Sequence, residues 1–320
     1  MTDIINEASY DAVMDGTVEP YLESVMTEGS FSGYGGVELK FRSYRAQDPE
    51  RTVVILHGFT EGMPKFDELI WYFLGSGSNV FIYDQRGHGR SYRPVSDLTL
   101  THVDRFGDYV ADFELFVDTV VPKDLPLCLF AHSMGGAVAG LYIEKHPDVF
   151  SKAVLSSPMI APSTGAYPAF VGRLICRVMI LFGGAKKRIF LSPEYPGEEK
   201  FESSCASSRA RFDRYERFKR THPEYQNYSP TYRWTLESLS VTKKLMKRGE
   251  PEKIRTDVLL LSAELDDIVL IPAQKAFASR IPSCRVEDMP GTKHEIYRGT
   301  DETVEKLVGV TLGFFEKAGK

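Results

Sequence analysis

A serine at position 133, a carboxylate at 266 and a histidine at 294 each follow a strand-like run, and side chains of these types can together perform acyl transfer. Ser133 lies within Phe130-Ala131-His132-Ser133-Met134-Gly135-Gly136, after the apolar run 125–129 and before the small-residue segment 137–142. The pattern reads as a strand, a sharp turn and a helix, a nucleophile elbow that lifts the hydroxyl above a sheet edge and leaves N–H groups of the next helix unpaired. Gly135, Gly136, Ala137 and Ala139 allow that helix to pack closely on its strand. Ala131 stands where G-x-S-x-G has its first glycine, and the added methyl leaves the turn feasible. Taken alone, Ser133 also reads as an ordinary helix N-cap.

A nucleophilic hydroxyl needs a base and a group to orient it, and elbow enzymes place them in the chain order serine, acid, histidine. Of the seven histidines, at 57, 88, 102, 132, 146, 222 and 294, only His294 lies beyond the strand-like run 256–262. That run leads directly into Glu264-Leu265-Asp266-Asp267. Asp266 is the expected acid, Asp267 its close rival, and Glu264 sits too near the strand. Each residue has a plainer reading, Asp266 as a helix N-cap and His294 as a surface histidine. The three in the required order at strand ends favour a triad.

His57-Gly58-Phe59 follows another apolar run, where a glycine lets backbone approach a reacting carbonyl. The N–H groups of Phe59 and Met134 are the expected oxyanion donors. His57 precedes the acid and reads as structural. The expected reaction has His294 take the proton of Ser133 while Asp266 holds the imidazole, with an acyl-enzyme released by water. Neither metal nor cofactor is called for: His294-Glu295 begins like H-E-x-x-H, but Ile296-Tyr297-Arg298 ends it. The loop 84–91, glycine-rich and basic, invites a phosphate reading but lacks either nucleotide motif, so Asp84 and Arg86 are expected to brace neighbouring loops.

The elements that must carry these residues have a recognisable rhythm. Apolar runs at 52–56, 79–83, 125–129, 153–157, 256–262 and 283–289 alternate with helical stretches, including 105–120, where apolar residues recur at three and four. This is the pattern of parallel β-α-β units, and 29–45 reads as two antiparallel strands at one edge. The rhythm lapses from about 161 to 249. The fold class expected is therefore α/β, with a mostly parallel central sheet flanked by helices, a core from 1–160 and 250–320, and a mainly helical cap over 161–249. Residues 1–27 read as an irregular or helical leader.

With 320 residues and 42% hydrophobic content the chain can bury a substantial core. A net charge of −5 with mixed signs calls for no nucleic-acid partner. The cysteines at 128, 176, 205 and 284 form no C-x-x-C pair, and free thiols are expected. The first residues lack a basic start and an apolar core, and no run of 18 apolar residues occurs, so a cytoplasmic protein is expected, with peripheral membrane contact compatible.

The segments LHGFTE at 56–61, YDQRGHGRS at 83–91, FAHSMGG at 130–136, LLLSAELDDIV at 259–269 and GTKHEI at 291–296 resemble the α/β-hydrolase fold, and more closely its lysophospholipase L2 and monoacylglycerol lipase group. The likeness runs from about 29 to 315, with SPTYRW at 229–234 a softer match. The resemblance implies Ser133, Asp266 and His294 as triad, Phe59 and Met134 as oxyanion donors, and hydrolysis of one acyl chain from a glycerol or glycerophosphate backbone. Related proteins also cleave other esters or N-terminal peptide bonds. An aminopeptidase-like or general carboxylesterase is therefore the alternative, and a non-catalytic scaffold is the reading from a different class.

Within the cap, Phe212, Tyr215 and Phe218 fall on one side of an expected helix, with arginines on the others. Those arginines are either solvated or, in the case of Arg211 and Arg214, contacts for a phosphate headgroup or anionic surface. The apolar stretch 170–182 reads either as the lining of an acyl tunnel or as cap core. The expected partner is a small lipid or ester substrate.

Overall fold

Four mostly apolar runs have no face suited to water, and in the computed structural model they are buried strands at the centre of one sheet: β3 (Arg51–Leu56), β4 (Ser78–Tyr83), β5 (Leu127–His132) and β6 (Lys152–Ser156). The structure describes residues 3–165 and 167–316. β1 (Met26–Ser32) and β2 (Glu38–Tyr44) form an antiparallel hairpin, in register from Met26 opposite Tyr44 to Ser32 opposite Glu38. Its turn uses left-handed backbone at Gly35 and Gly36, φ 79° and 77°, which glycine adopts freely. β7 (Asp257–Ala263) and β8 (Cys284–Met289) complete the sheet. The order is β1-β2-β4-β3-β5-β6-β7-β8, parallel from β4 to β8, with β2 antiparallel to β4.

The pleat divides the core in two. Val54 and Leu56 face one layer, with α3 (Phe106–Thr119), α4 (Met134–Lys145) and α8 (Ile271–Ala278) packed there through Phe113, Phe116, Val138 and Phe277. Val53 and Ile55 face the other, which holds α1 (residues 10–25), α2 (Asp67–Gly75) and α9 (Asp301–Glu316). α1 is the N-terminal segment: Tyr10–Val13, a π-helical turn Met14–Val18 and Glu19–Val25 run on continuously. Its Tyr10, Met14, Val18 and Leu22 are buried against the core, so the leader is an integral layer of the fold.

After β6 the chain leaves the sheet and, among the described residues, forms three α-helices, α5 (Ala169–Leu181), α6 (Arg209–Thr221) and α7 (Tyr232–Leu245). α5 and α7 meet through Cys176, Tyr232 and Leu236, while Trp234, Val241 and Leu245 of α7 join the core layer of α3 and α4. A two-residue parallel pairing of Leu100–Thr101 with Ser229–Pro230 ties this insertion down, and Asn227 Nδ2 donates to Thr101 Oγ1 at 2.7 Å. Cys128, Cys176, Cys205 and Cys284 are free thiols.

Candidate active site

β5 ends at His132, and the next residue turns the chain into α4 within a single peptide. Ser133 takes φ 51°, ψ −116°, a left-handed conformation that a side chain rarely adopts. Neighbouring backbone holds it there: its N–H donates to the Ser156 carbonyl at 3.0 Å, and its carbonyl accepts from Met159 at 2.8 Å. The small residues have a direct cause. A Cβ on Gly135 would lie 2.4 Å from the Leu56 carbonyl oxygen, so the start of α4 touches the end of β3. Ala131 fits in β5 with no exposed surface.

The structure brings Ser133, His294 and Asp266 together from three separate strand ends. His294 Nε2 lies 2.8 Å from Ser133 Oγ, and His294 Nδ1 lies 2.7 Å from Asp266 Oδ2. Asp266 follows β7, and its other oxygen accepts the N–H groups of Ile268 at 3.0 Å and Val269 at 3.1 Å, which fixes the carboxylate. With Nδ1 donating to Asp266, Nε2 is left to accept from the hydroxyl. Asp267 is exposed, and Glu264 accepts the Gly291 N–H at 2.8 Å, so neither rival meets the imidazole. Ser133 and His294 are almost wholly buried, which raises the strength of any charge interaction there.

Phe59 and Met134 sit at the same point, on the loop after β3 and the first turn of α4. Among the described residues neither N–H donates to a protein acceptor, as an anion-binding pair requires. The cap covers this loop: Trp234 packs on Phe59 with 4.1 Å between ring centroids, and its Nε1 donates to the Tyr109 hydroxyl at 3.2 Å. The softer SPTYRW match holds this cover, a role that periodicity does not reveal.

His57 is buried, with Nδ1 2.8 Å from the Gly58 carbonyl and Nε2 accepting the Gln85 N–H at 2.9 Å. Burial lowers its pKa and keeps it neutral. Asp84 accepts from Met63 N–H at 2.8 Å, Arg90 N–H at 3.0 Å and the Tyr225 hydroxyl at 3.1 Å, while Arg86 grips Asp112. Both residues brace loops, and no phosphate cradle forms around them.

Arg211 and Arg214, which the sequence leaves as either solvated or headgroup contacts, are engaged by protein carboxylates. Arg211 is 2% exposed, its guanidinium bonded to Glu68 at 2.8 Å and 2.9 Å, to Asp301 at 2.9 Å and to the Ile5 carbonyl at 2.9 Å. Arg214 binds Asp15 at 2.7 Å and Glu19 at 2.6 Å. α6 therefore commits Arg211 to α2 and α9, and Arg214 to α1, which belongs to an N-terminal stretch with six carboxylates and no base in its first 25 residues.

The stretch 170–182 is neither wholly tunnel nor wholly core. Ile175, Cys176, Met179 and Ile180 turn inward, but Phe170, Leu174, Val178 and Leu181 are exposed, Leu181 by 82%. The loop carrying Asp266 adjoins this cap segment, since Leu270 N–H donates to Ala161 at 2.9 Å and Ser163 N–H to Ile268 at 2.8 Å. That loop adds exposed Leu265, Ile268 and Leu270.

Comparison with known proteins yields three kinds of likeness. A profile of the family described as serine aminopeptidase, S33, matches residues 47–301. Lysophospholipase L2 of Escherichia coli (strain K12) is 32% identical over 250 residues, covering 76% of this chain and 71% of that protein. The probable lysophospholipase L2 of Haemophilus influenzae is 28% identical over 283 residues, 87% of this chain and 88% of its own length. A soluble variant of monoglyceride lipase from Saccharomyces cerevisiae, solved with a substrate analogue, superposes with a TM-score of 0.69 at 20% identity over 91% of this chain and 96% of its own, which is a likeness of fold.

Proposed function

This chain belongs to the serine aminopeptidase, S33, family of the α/β-hydrolase fold, and from there we propose that it cleaves the single acyl ester of lysophospholipids or monoacylglycerols through Ser133, His294 and Asp266. The observation that carries the reading is the unbroken relay from Asp266 Oδ2 through His294 to Ser133 Oγ, at 2.7 Å and 2.8 Å. His294 Nε2 takes the hydroxyl proton as Ser133 attacks the ester carbonyl, and Asp266 stabilises the imidazolium. The oxyanion meets the N–H groups of Phe59 and Met134. His294 returns the proton to the leaving alcohol, then activates a water that frees the fatty acid and Ser133.

Lipid as the substrate class is supported by the relatives and by the cap surface. Residues 158–193 contain five bases and no acid in a chain of net charge −5, and the exposed apolar face of α5 lies within that segment. An apolar face flanked by bases suits an anionic lipid surface, so the enzyme works on this reading at the periphery of a membrane on its cytoplasmic side.

The second reading, an aminopeptidase, is favoured by the description of the matching family. Recognition of a free amine wants a carboxylate in the cap; the segment 158–193, which adjoins the Asp266 loop, offers none, and the carboxylates of the cap all lie beyond it. A fluorophosphonate probe should label the wild type and not Ser133→Ala. Turnover should then rank lysophosphatidylcholine and monoolein above short nitrophenyl esters and aminoacyl amides. Absence of labelling removes the serine mechanism, and preference for aminoacyl amides removes the lipid reading.

A further inference from the structure

Two buried ionisable residues beside the triad take no part in the reaction just described. Glu61 and His132 are 2% and 1% exposed. His132 Nδ1 lies 3.1 Å from Glu61 Oε2, and its Nε2 lies 3.2 Å from the backbone carbonyl of His294. Glu61 Oε2 also accepts the Gly58 N–H, and Oε1 accepts the Tyr297 hydroxyl at 2.5 Å and Lys65 Nζ at 3.4 Å. Every hydrogen-bond partner of Glu61 among the described residues is thus a donor, as a carboxylate requires. Both neighbours of His132 are acceptors, and a neutral imidazole has one N–H to give. The two contacts are filled together by the imidazolium.

Three parts of the site meet at this pair. Gly58 precedes Phe59, His132 precedes Ser133, and the carbonyl held by His132 belongs to His294. The space is tight: a Cβ on Gly58 would lie 2.9 Å from Glu61 Oε2, 3.0 Å from Ser133 Cβ and 3.1 Å from His132 Nδ1. We propose that Glu61 and His132 form an ion pair that positions the oxyanion loop and the base relative to Ser133, a role that rests on the serine-hydrolase reading of the site.

Burial works against the charge on His132, but the Glu61 carboxylate outweighs it and raises the ring's pKa, with Glu295 adding to the effect. Burial also opposes ionisation of Glu61, but His132 and Lys65 hold it well below the usual carboxylate range. Glu61 from the loop after β3 and the His294 and Tyr297 rings from the loop after β8 meet the His132 ring, Glu295 acts on it through charge, and Lys65 and Arg298 pair with the two carboxylates. Loss of the His132 proton therefore frees the His294 backbone, and activity falls as pH rises through the raised pKa.

The test is Glu61→Gln beside Glu61→Asp. Glu61→Gln should lower kcat about a hundredfold, the cost of displacing reacting groups by about 1 Å, with KM changed less than about twofold. The descending alkaline limb of kcat should move to lower pH by about one unit or more, and Glu61→Asp should recover part of both effects. A uniform loss at every pH, or wild-type kcat with an unmoved limb, overturns the proposal. Should Glu61→Gln not fold, nitrogen NMR of labelled histidine in the wild type decides: an imidazolium at His132 at about pH 7 is expected, and a neutral ring overturns it. Absence of fluorophosphonate labelling in the wild type would instead sink the serine reading, independently of this pair.

Discussion

The indole of Trp234 lies over the ring of Phe59, 4.1 Å between centroids and 33° between planes, so a cap helix rests directly on the loop that carries a candidate oxyanion donor. Trp234→Ala should cost about 3 kcal/mol of stability through the cavity it leaves. It should also lower kcat about tenfold or more, since Phe59 would lose its cover. Trp234→Phe keeps the ring contact and loses only the hydrogen bond to Tyr109, at about 1 kcal/mol. Urea denaturation and steady-state kinetics on one soluble ester check both, and equal kcat in all three proteins would detach the cap from the oxyanion loop.

Asp266→Asn should reduce kcat about ten-thousandfold, because an amide leaves His294 in the wrong tautomer. The oxygen that accepts from Ile268 and Val269 is retained, so the loop should keep its shape. Asp267→Asn changes an exposed side chain and should leave kcat and stability nearly unaltered, within about 0.5 kcal/mol. Comparable losses in the two variants would mean that the acid has been misassigned.

Arg211→Gln leaves Glu68 buried without its charge partner, and the expected loss of stability is about 4 kcal/mol. Lysophospholipid and monoglyceride hydrolysis by the fraction that remains folded should fall equally. A selective loss on the lysophospholipid, with denaturation midpoint unchanged, would restore a headgroup role to this arginine.

Glu144 on α4 is buried, one of its oxygens has no partner among the described residues, and burial together with Glu250 pushes its carboxyl up to about 8. The unfolded carboxyl ionises near about 4.3, so the unfolded chain gives up its proton first as pH rises. The stability contributed is full below that value and is lost as pH rises through the folded pKa of about 8. Glu144→Gln cannot ionise, and its melting temperature should be flatter than that of the wild type over this window by at least about 2 °C, which is about 1 kcal/mol in a chain of this size. Parallel curves would mean that Glu144 is solvated.

Much of the architecture was legible because its signals are local. Buried strands such as Val53–Leu56 are uninterrupted apolar runs, α3 repeats at three and four, and the catalytic candidates stand in loops whose chain order filters seven histidines to one. What escaped depends on pairing across the chain. Glu61 meets His132 across 71 positions and Arg211 meets Glu68 across 143, and no periodicity encodes such a partner. α5 escaped for a different reason: apolar residues lie on both of its faces, so composition could not say which one looks outward.

The outward face of α5 yields the last prediction. Phe170, Leu174, Val178 and Leu181 recur at four, four and three, which places them on one side of the helix, and all four are exposed. Leu174 and Leu181 touch neither the triad nor the oxyanion loop, so Leu174→Glu combined with Leu181→Glu should leave hydrolysis of a short soluble ester within about twofold of wild type. Withdrawing two leucines from a lipid phase removes about 3 kcal/mol or more of apolar burial, so binding to vesicles rich in anionic phospholipid should weaken about a hundredfold or more. Activity on vesicle-borne lysophospholipid should fall with it. Arg177→Glu should act through charge instead, with an effect that fades as salt screens the surface. Sedimentation with vesicles at low and high salt separates the two contributions, and wild-type binding by the double leucine variant would turn the lipid surface away from this helix.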